Sequence, residues 1–344
     1  MRFQAAPPAP TGRADRTAVL LVNLGTPDAP TPSALRRFLA EFLWDRRVVE
    51  IPRPLWWLIL NGVVLRTRPS QSAAKYADIW MQDGSPLLVW SQRLAIRLTG
   101  QLGELGHAVL VRVAMRYGQP AIANELGALM AEGATRILVL PLYPQYAAAT
   151  TASTIDAVSV WARNIRVLPE LRFVNQYHDD EAYIEAMADS VRQHWQREGR
   201  GDKLLMSFHG LPARSTVLGD PYQSQCMRTA ALLAARLGLR PEQYQVSFQS
   251  RLGRAKWLEP YTETTVRQLA AQGCKRLDAI CPGFAVDNLE TLEEVAIEVR
   301  EAFLESGGES FQYIPCLNDG DRWVAALAQL ALRHMQGWPQ QEVQ

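Results

Sequence analysis

Residues 203–212 read KLLMSFHGLP. A compact, mostly apolar run that stops at a histidine, a glycine and a proline has the form of a strand buried on both faces and closed by a tight turn. Residues 18–27, AVLLVNLGTP, repeat that form, with Gly25-x-Pro27 matching Gly210-x-Pro212. Further buried-strand candidates are 108–115, 136–140, 245–249 and 276–280. Helical patterns such as 121–131 and 263–271 lie between them. Strands alternating with helices imply parallel sheets covered by helices.

The two halves of the chain resemble each other. Glu132-Gly133-Ala134-Thr135-Arg136 runs into ILVLPLYP, and Gln272-Gly273-Cys274-Lys275-Arg276 runs into LDAICPGF. Pro120 and Pro260 keep the same offset from those glycines. The expected fold is therefore α/β: two similar doubly wound domains with parallel sheets and an active-site cleft between them. We place a flexible tail at 1–16, an N-terminal domain at 17–160 joined by a C-terminal helix at 319–337, and a second domain at 161–318.

Bulk properties narrow the function. The formal net charge of the 344-residue chain is +1, which argues against broad phosphate-backbone binding. Four scattered cysteines, Cys226, Cys274, Cys281 and Cys316, make no CxxC pair. Free thiols in a reducing cytoplasm are expected, without a cysteine-built metal site. The longest apolar stretch, 55–65 (LWWLILNGVVL), is too short to cross a bilayer and contains Asn61-Gly62. The Trp56-Trp57 pair within it suggests either a core helix or a lip that covers a flat apolar ligand or touches a membrane surface.

Ligands of open parallel sheets bind beyond the carboxyl ends of the strands. That rule gathers 23–26, 116–117, 141–146, 209–210, 250–251 and 282–287. Among the five histidines, His209 alone follows a buried strand directly; its imidazole can take a proton near neutral pH or bind a metal. Residues 287–301, DNLETLEEVAIEVRE, place Asp287, Glu290, Glu294, Glu298 and Glu301 on one face at helical spacing. A file of acids starting at the cleft suits a proton or cation path. No nucleotide loop and no hydrolase elbow are present.

With VNLGTP, DGSPLLVW, MRYGQP, PLYPQYAAATT, SFHGLP, GDPYQSQC, SFQSRLGRAKWLEPYT and CPGFAVDNLETLEE in this order, the chain resembles the ferrochelatases, and especially the bacterial form without an iron–sulfur cluster. The resemblance runs from about residue 18 to about 318. It implies a chelatase-like fold and insertion of Fe²⁺ into protoporphyrin IX, the last step of haem synthesis. It makes His209 the essential histidine and Glu290 its partner, both as catalytic groups and as metal ligands. Asp287 and Glu294 become further acids on the proton or metal path. Leu24, Tyr76, Ser85, Arg116, Tyr117 and Trp257 fall at porphyrin-pocket positions. Arg68, or Arg66 if the register slips by one, falls near the ring's carboxylates. Iron is then a substrate, and no cofactor is expected to be permanently bound. Some members carry a second histidine where Asn288 stands here. Three alternatives stay open: a chelatase for another metal, one for another tetrapyrrole such as coproporphyrin III, and a porphyrin or haem carrier without activity.

Overall fold

The computed structural model describes residues 15–251, 253 and 255–339. Residues 1–14 of the expected tail lie outside the described residues, and Arg16 already opens the first strand. The chain forms two compact units. One takes the chain up to Leu142, then Ala148–Asn175 and the chain from Val324; the other takes Tyr143–Ala147 and Gln176–Trp323.

The first unit is built on a parallel sheet of β1 (Arg16–Thr26), β2 (Val109–Gly118), β3 (Ala134–Pro141) and β4 (Glu170–Phe173). Its order is β2-β1-β3-β4. Residues Ala18, Val19, Leu20, Leu21 and Val22 of β1 are fully buried, as expected of a central strand covered on both faces. One face packs Ala18, Leu20 and Val22 with Ile137 and Val139 of β3 against Ile122, Leu126, Leu129, Val158 and Trp161 from helices. Each buried Val, Leu or Ile here contributes roughly 1.5–3 kcal/mol by leaving water.

The second unit repeats the plan with β5 (Lys203–His209), β6 (Tyr244–Gln249), β7 (Arg276–Ile280) and β8 (Ser310–Tyr313) in the order β6-β5-β7-β8. All pairings are again parallel. Leu205, Leu277 and Ala279 meet Val266, Leu269, Val295, Val299 and Phe303. The likeness extends to single hydrogen bonds. Met115 N–H donates to Pro120 O in the first unit (2.6 Å), and Phe248 N–H to Pro260 O in the second (2.8 Å). Val174 N–H donates to Val139 O, and Ile314 N–H to Ala279 O.

Two features depart from the sequence reading. Strands β4 and β8 escaped it: each has four residues and lies at a sheet edge. The acidic helix is not α-helical over most of its length. Glu290–Val299 is a π-helix, and shorter π segments occur at Leu60–Val64 and Ala148–Ala152. Hydrogen bonds to the fifth residue along widen each turn.

Candidate active site

His209 is the last residue of β5, held at the end of a buried run. Its Nδ1 lies 2.6 Å from the carbonyl oxygen of Gly210. A carbonyl only accepts, so in the neutral ring Nδ1 carries the proton and Nε2 keeps its lone pair. The backbone here is fixed from two more sides. Tyr222 Oη donates to His209 O (3.0 Å), and Gly210 N–H donates to Gln249 O (2.7 Å). A Cβ at Gly210 would stand 2.6 Å from that same oxygen, so only glycine allows the approach. Phe284 meets the imidazole edge-on, with ring centroids 6.3 Å apart. Trp257 also borders this turn: its residue bridges Pro212, and its ring would lie 3.3 Å from a Cβ at Gly210.

The acids reach the same place from the turn after β7. Asn288 and Thr291 exchange side-chain bonds to each other's N–H groups (3.0 and 3.1 Å), a reciprocal cap that starts the helix. Glu290 follows. Burial pushes its carboxyl pKa up, and a positive charge on the His209 ring would work against that rise. Gln249 Nε2 donates to the Glu290 carbonyl (2.6 Å). Glu294 is gripped by Ser250, whose N–H donates to Oε1 (2.6 Å) and whose hydroxyl donates to Oε2. Ser250 holds this grip with φ at 65°, in the left-handed region, which costs a non-glycine residue of order 1–3 kcal/mol.

Asp287 does not join the file of acids. It precedes the helix and is buried. Its Oδ1 accepts from Tyr313 Oη (2.5 Å), Thr291 Oγ1 (3.1 Å) and Cys316 N–H (3.3 Å), and its Oδ2 from Asn318 Nδ2 (2.7 Å). These bonds tie the start of the helix to a loop beyond β8. Glu298 and Glu301 lie exposed farther along.

The remaining candidates belong to the first unit. Leu24 is half-buried near the end of β1. Tyr76 is buried edge-on to Trp80. Ser85 is buried and caps the helix Pro86–Glu104 by accepting from Leu88 N–H. Arg116, expected at a porphyrin-pocket position, is paired within its own unit. Its guanidinium is committed to Asp45 Oδ2 (2.6 Å) and to Ser153 (2.7 and 2.9 Å). Fully buried Tyr117 donates to the same Asp45 oxygen (2.8 Å). Burial alone would raise the Asp45 carboxyl. Bonds from Ser153, Arg47 N–H and Tyr117, with the charge of Arg116, more than offset it and hold the pKa below its ordinary value. Arg66 and Arg68, on the helix Leu65–Ile79, make no ion pair among the described residues. The tryptophan pair before them splits. Trp56 is buried and donates to Leu43 O (2.7 Å), while Leu55, Trp57, Leu58 and Val63 stay exposed.

Sequence reasoning missed Gln249 and Tyr222. Ser250 was placed at a strand end but given no task. The one available signal was that Gln249 ends a candidate strand. A separate groove of about 570 Å³ runs between Thr216, Asp220, Tyr244 and Glu259; none of the candidate residues lines it. Among the described residues no helix is long and apolar enough to cross a membrane, and the four cysteines are buried free thiols.

Residues 16–335 match the family model for ferrochelatase. A ferrochelatase of Methylibium petroleiphilum is 64% identical over 330 residues, covering 96% of this chain and 91% of the relative. One from Dechloromonas aromatica is 56% identical over 340 residues, covering 98% and 93%. Among solved structures, SirB from Bacillus subtilis with Fe³⁺ aligns with a TM-score of 0.53 at 14% identity, covering 95% of this chain and all of that one. CbiX, described as the terminal enzyme for siroheme biosynthesis in denitrifying bacteria, aligns at 0.51 and 15% identity, covering 92% and 98%. At such identities these two likenesses speak for the fold alone.

Proposed function

The chain belongs to the ferrochelatase family, whose members insert iron into a porphyrin for haem synthesis, and we propose how its own residues divide that work. Porphyrin and iron are its substrates. A free-base porphyrin is flat and carries two N–H groups at its centre. Insertion of Fe²⁺ needs nitrogen lone pairs turned out of the ring plane and the loss of two protons.

His209 Nε2 accepts the pyrrole protons, and Glu290 receives them or steadies Fe²⁺ as it enters. Glu294 continues the route along the helix. One observation carries this reading: Nδ1–H is bonded to the Gly210 carbonyl, so the lone pair sits on Nε2, and Gln249 joins that turn to the start of the Glu290 helix. Histidine nitrogen and carboxylate oxygen suit Fe²⁺, and they suit several other divalent ions as well. For the carboxylates of the ring we assign Arg68, with Arg66 beside it in sequence, because Arg116 is already paired. We assign Leu24, Tyr76, Ser85, Tyr117 and Trp257 to porphyrin binding. We take protoporphyrin IX as the porphyrin, no resident cofactor, and a cytoplasmic location. The exposed Leu55, Trp57, Leu58 and Val63 then form a contact for a membrane surface.

Anaerobic addition of Fe²⁺ to protoporphyrin IX, followed by absorbance, tests the assignment. The unaltered protein metallates the ring. His209→Ala binds the free base and loses turnover by a factor of about 10²–10⁴. Glu290→Gln binds porphyrin and turns over more slowly. Normal turnover in His209→Ala would defeat the reading. Tight haem binding with no metallation by the unaltered protein would make it a carrier.

A further inference from the structure

Four buried polar side chains lie beneath the pair just assigned, and the steps above do not use them. Ser207 on β5, Ser247 and Gln249 on β6, and Thr262 at the start of the helix Thr262–Ala271 are at most 4% exposed. They form one string. The Glu290 carbonyl can only accept, so the Gln249 amide must turn Nε2 toward it (2.6 Å) and Oε1 toward Ser207. Ser207 Oγ donates to that Oε1 (2.6 Å). Its own oxygen is then free to take the Thr262 proton (2.9 Å), and Thr262 to take that of Ser247 (2.9 Å). Donors aligned in one direction polarise the last bond of a string, and the last bond here ends on the backbone of Glu290.

Gln249 has a second hold. Its main-chain carbonyl accepts the N–H of Gly210 (2.7 Å), the residue whose own carbonyl orients His209. Through its backbone it touches the histidine turn, and through its side chain the first turn of the acidic helix. A core made for stability alone would fill this space with apolar groups, since each buried amide or hydroxyl needs a partner to offset its lost hydration.

We propose that Gln249 is a positioning residue for the metal insertion, setting the distance and angle between Glu290 and His209. The inference rests on the roles assigned to those two residues. Gln249→Met keeps length and shape and removes both polar ends. Its kcat should fall by about tenfold to a hundredfold, the scale of a misplacement near 1 Å, while KM for porphyrin stays within about twofold. Ser207→Ala removes only the nearest hydroxyl, and kcat should fall about threefold, again without a change in KM. The double variant Gln249→Met/Glu290→Gln should be no slower than Glu290→Gln alone, because Gln249 acts through Glu290.

Additive losses in the double variant, or a soluble Gln249→Met with unaltered kcat, would overturn the proposal. If Gln249→Met does not fold, unaltered kcat in Ser207→Ala overturns it instead. Full turnover in Glu290→Gln would point elsewhere, to an error in the catalytic pair itself.

Discussion

The two units share strand order, parallel register and the bond from their second strand to the proline that follows it. Asn23 pairs with Met115 in one, and Phe208 with Phe248 in the other, so Leu24 occupies the place of His209. The ends of β2 and β6 then diverge. In the first unit, Arg116 and Tyr117 meet Asp45 and Ser153, and the carboxylate is neutralised by a cation. In the second, neutral donors do the holding: Gln249 takes the carbonyl of Glu290, and Ser250 takes the carboxylate of Glu294. The same strand end thus pairs a carboxylate with a cation in one unit and holds one with neutral donors in the other. Fixing a carboxylate with amides and hydroxyls orients it without a cation beside it.

Exchanging the two strand-end residues would test that contrast most severely. His209→Leu with Leu24→His moves the imidazole to the equivalent place in the first sheet, where no acidic helix follows. Turnover should fall by about 10³, with porphyrin binding retained in fluorescence titration; recovery of activity would break the comparison.

Asp45→Asn comes next. It leaves the Arg116 guanidinium largely buried without its charge partner, a loss of about 3 kcal/mol, read as a lower denaturation midpoint. The pH dependence sharpens the point. The folded pKa of Asp45 lies below its ordinary value, so its stabilisation is full above about pH 4 and fades as pH falls toward the folded value. Thermal melts from about pH 3 to 7 should show a gentler acid-side decline in the variant than in the parent.

Ser250→Gly has the smallest effect. Glycine accepts φ at 65° without strain, which offsets the lost hydroxyl bond, so the melting temperature should stay within about 3 °C. Only the backbone N–H then holds Glu294, and kcat should fall by about threefold to tenfold. A large loss of stability would mean that the Ser250 grip belongs to the fold and not to the reaction.

Much of this was legible in the residues. Continuous burial announced β1 and β5, because a strand covered on both faces has no polar side to hide. The places of His209 at the end of β5 and of Glu290 and Glu294 on the helix after β7 were legible because a strand's end and a helix's start leave a mark in the apolar pattern. Strands β4 and β8 could not: four residues at an edge carry too little pattern. The π winding was invisible because apolar spacing serves either helix over so short a run. The hydrogen-bond partners of Asp287 and Arg116 could not be foreseen, for one reason. Those partners, Asn318 and Tyr313 for the first and Asp45 and Ser153 for the second, come from distant parts of the chain, and pairing across such separations leaves no local trace.

The partner of His209 Nδ1 is a piece of main chain, and that limits how the enzyme can evolve. A side-chain partner could be exchanged to retune the ring or flip its tautomer. A peptide oxygen offers no such substitution, and the absent β-carbon at Gly210 bars a new group from intruding. Any retuning of this imidazole must therefore come from groups other than its Nδ1 partner.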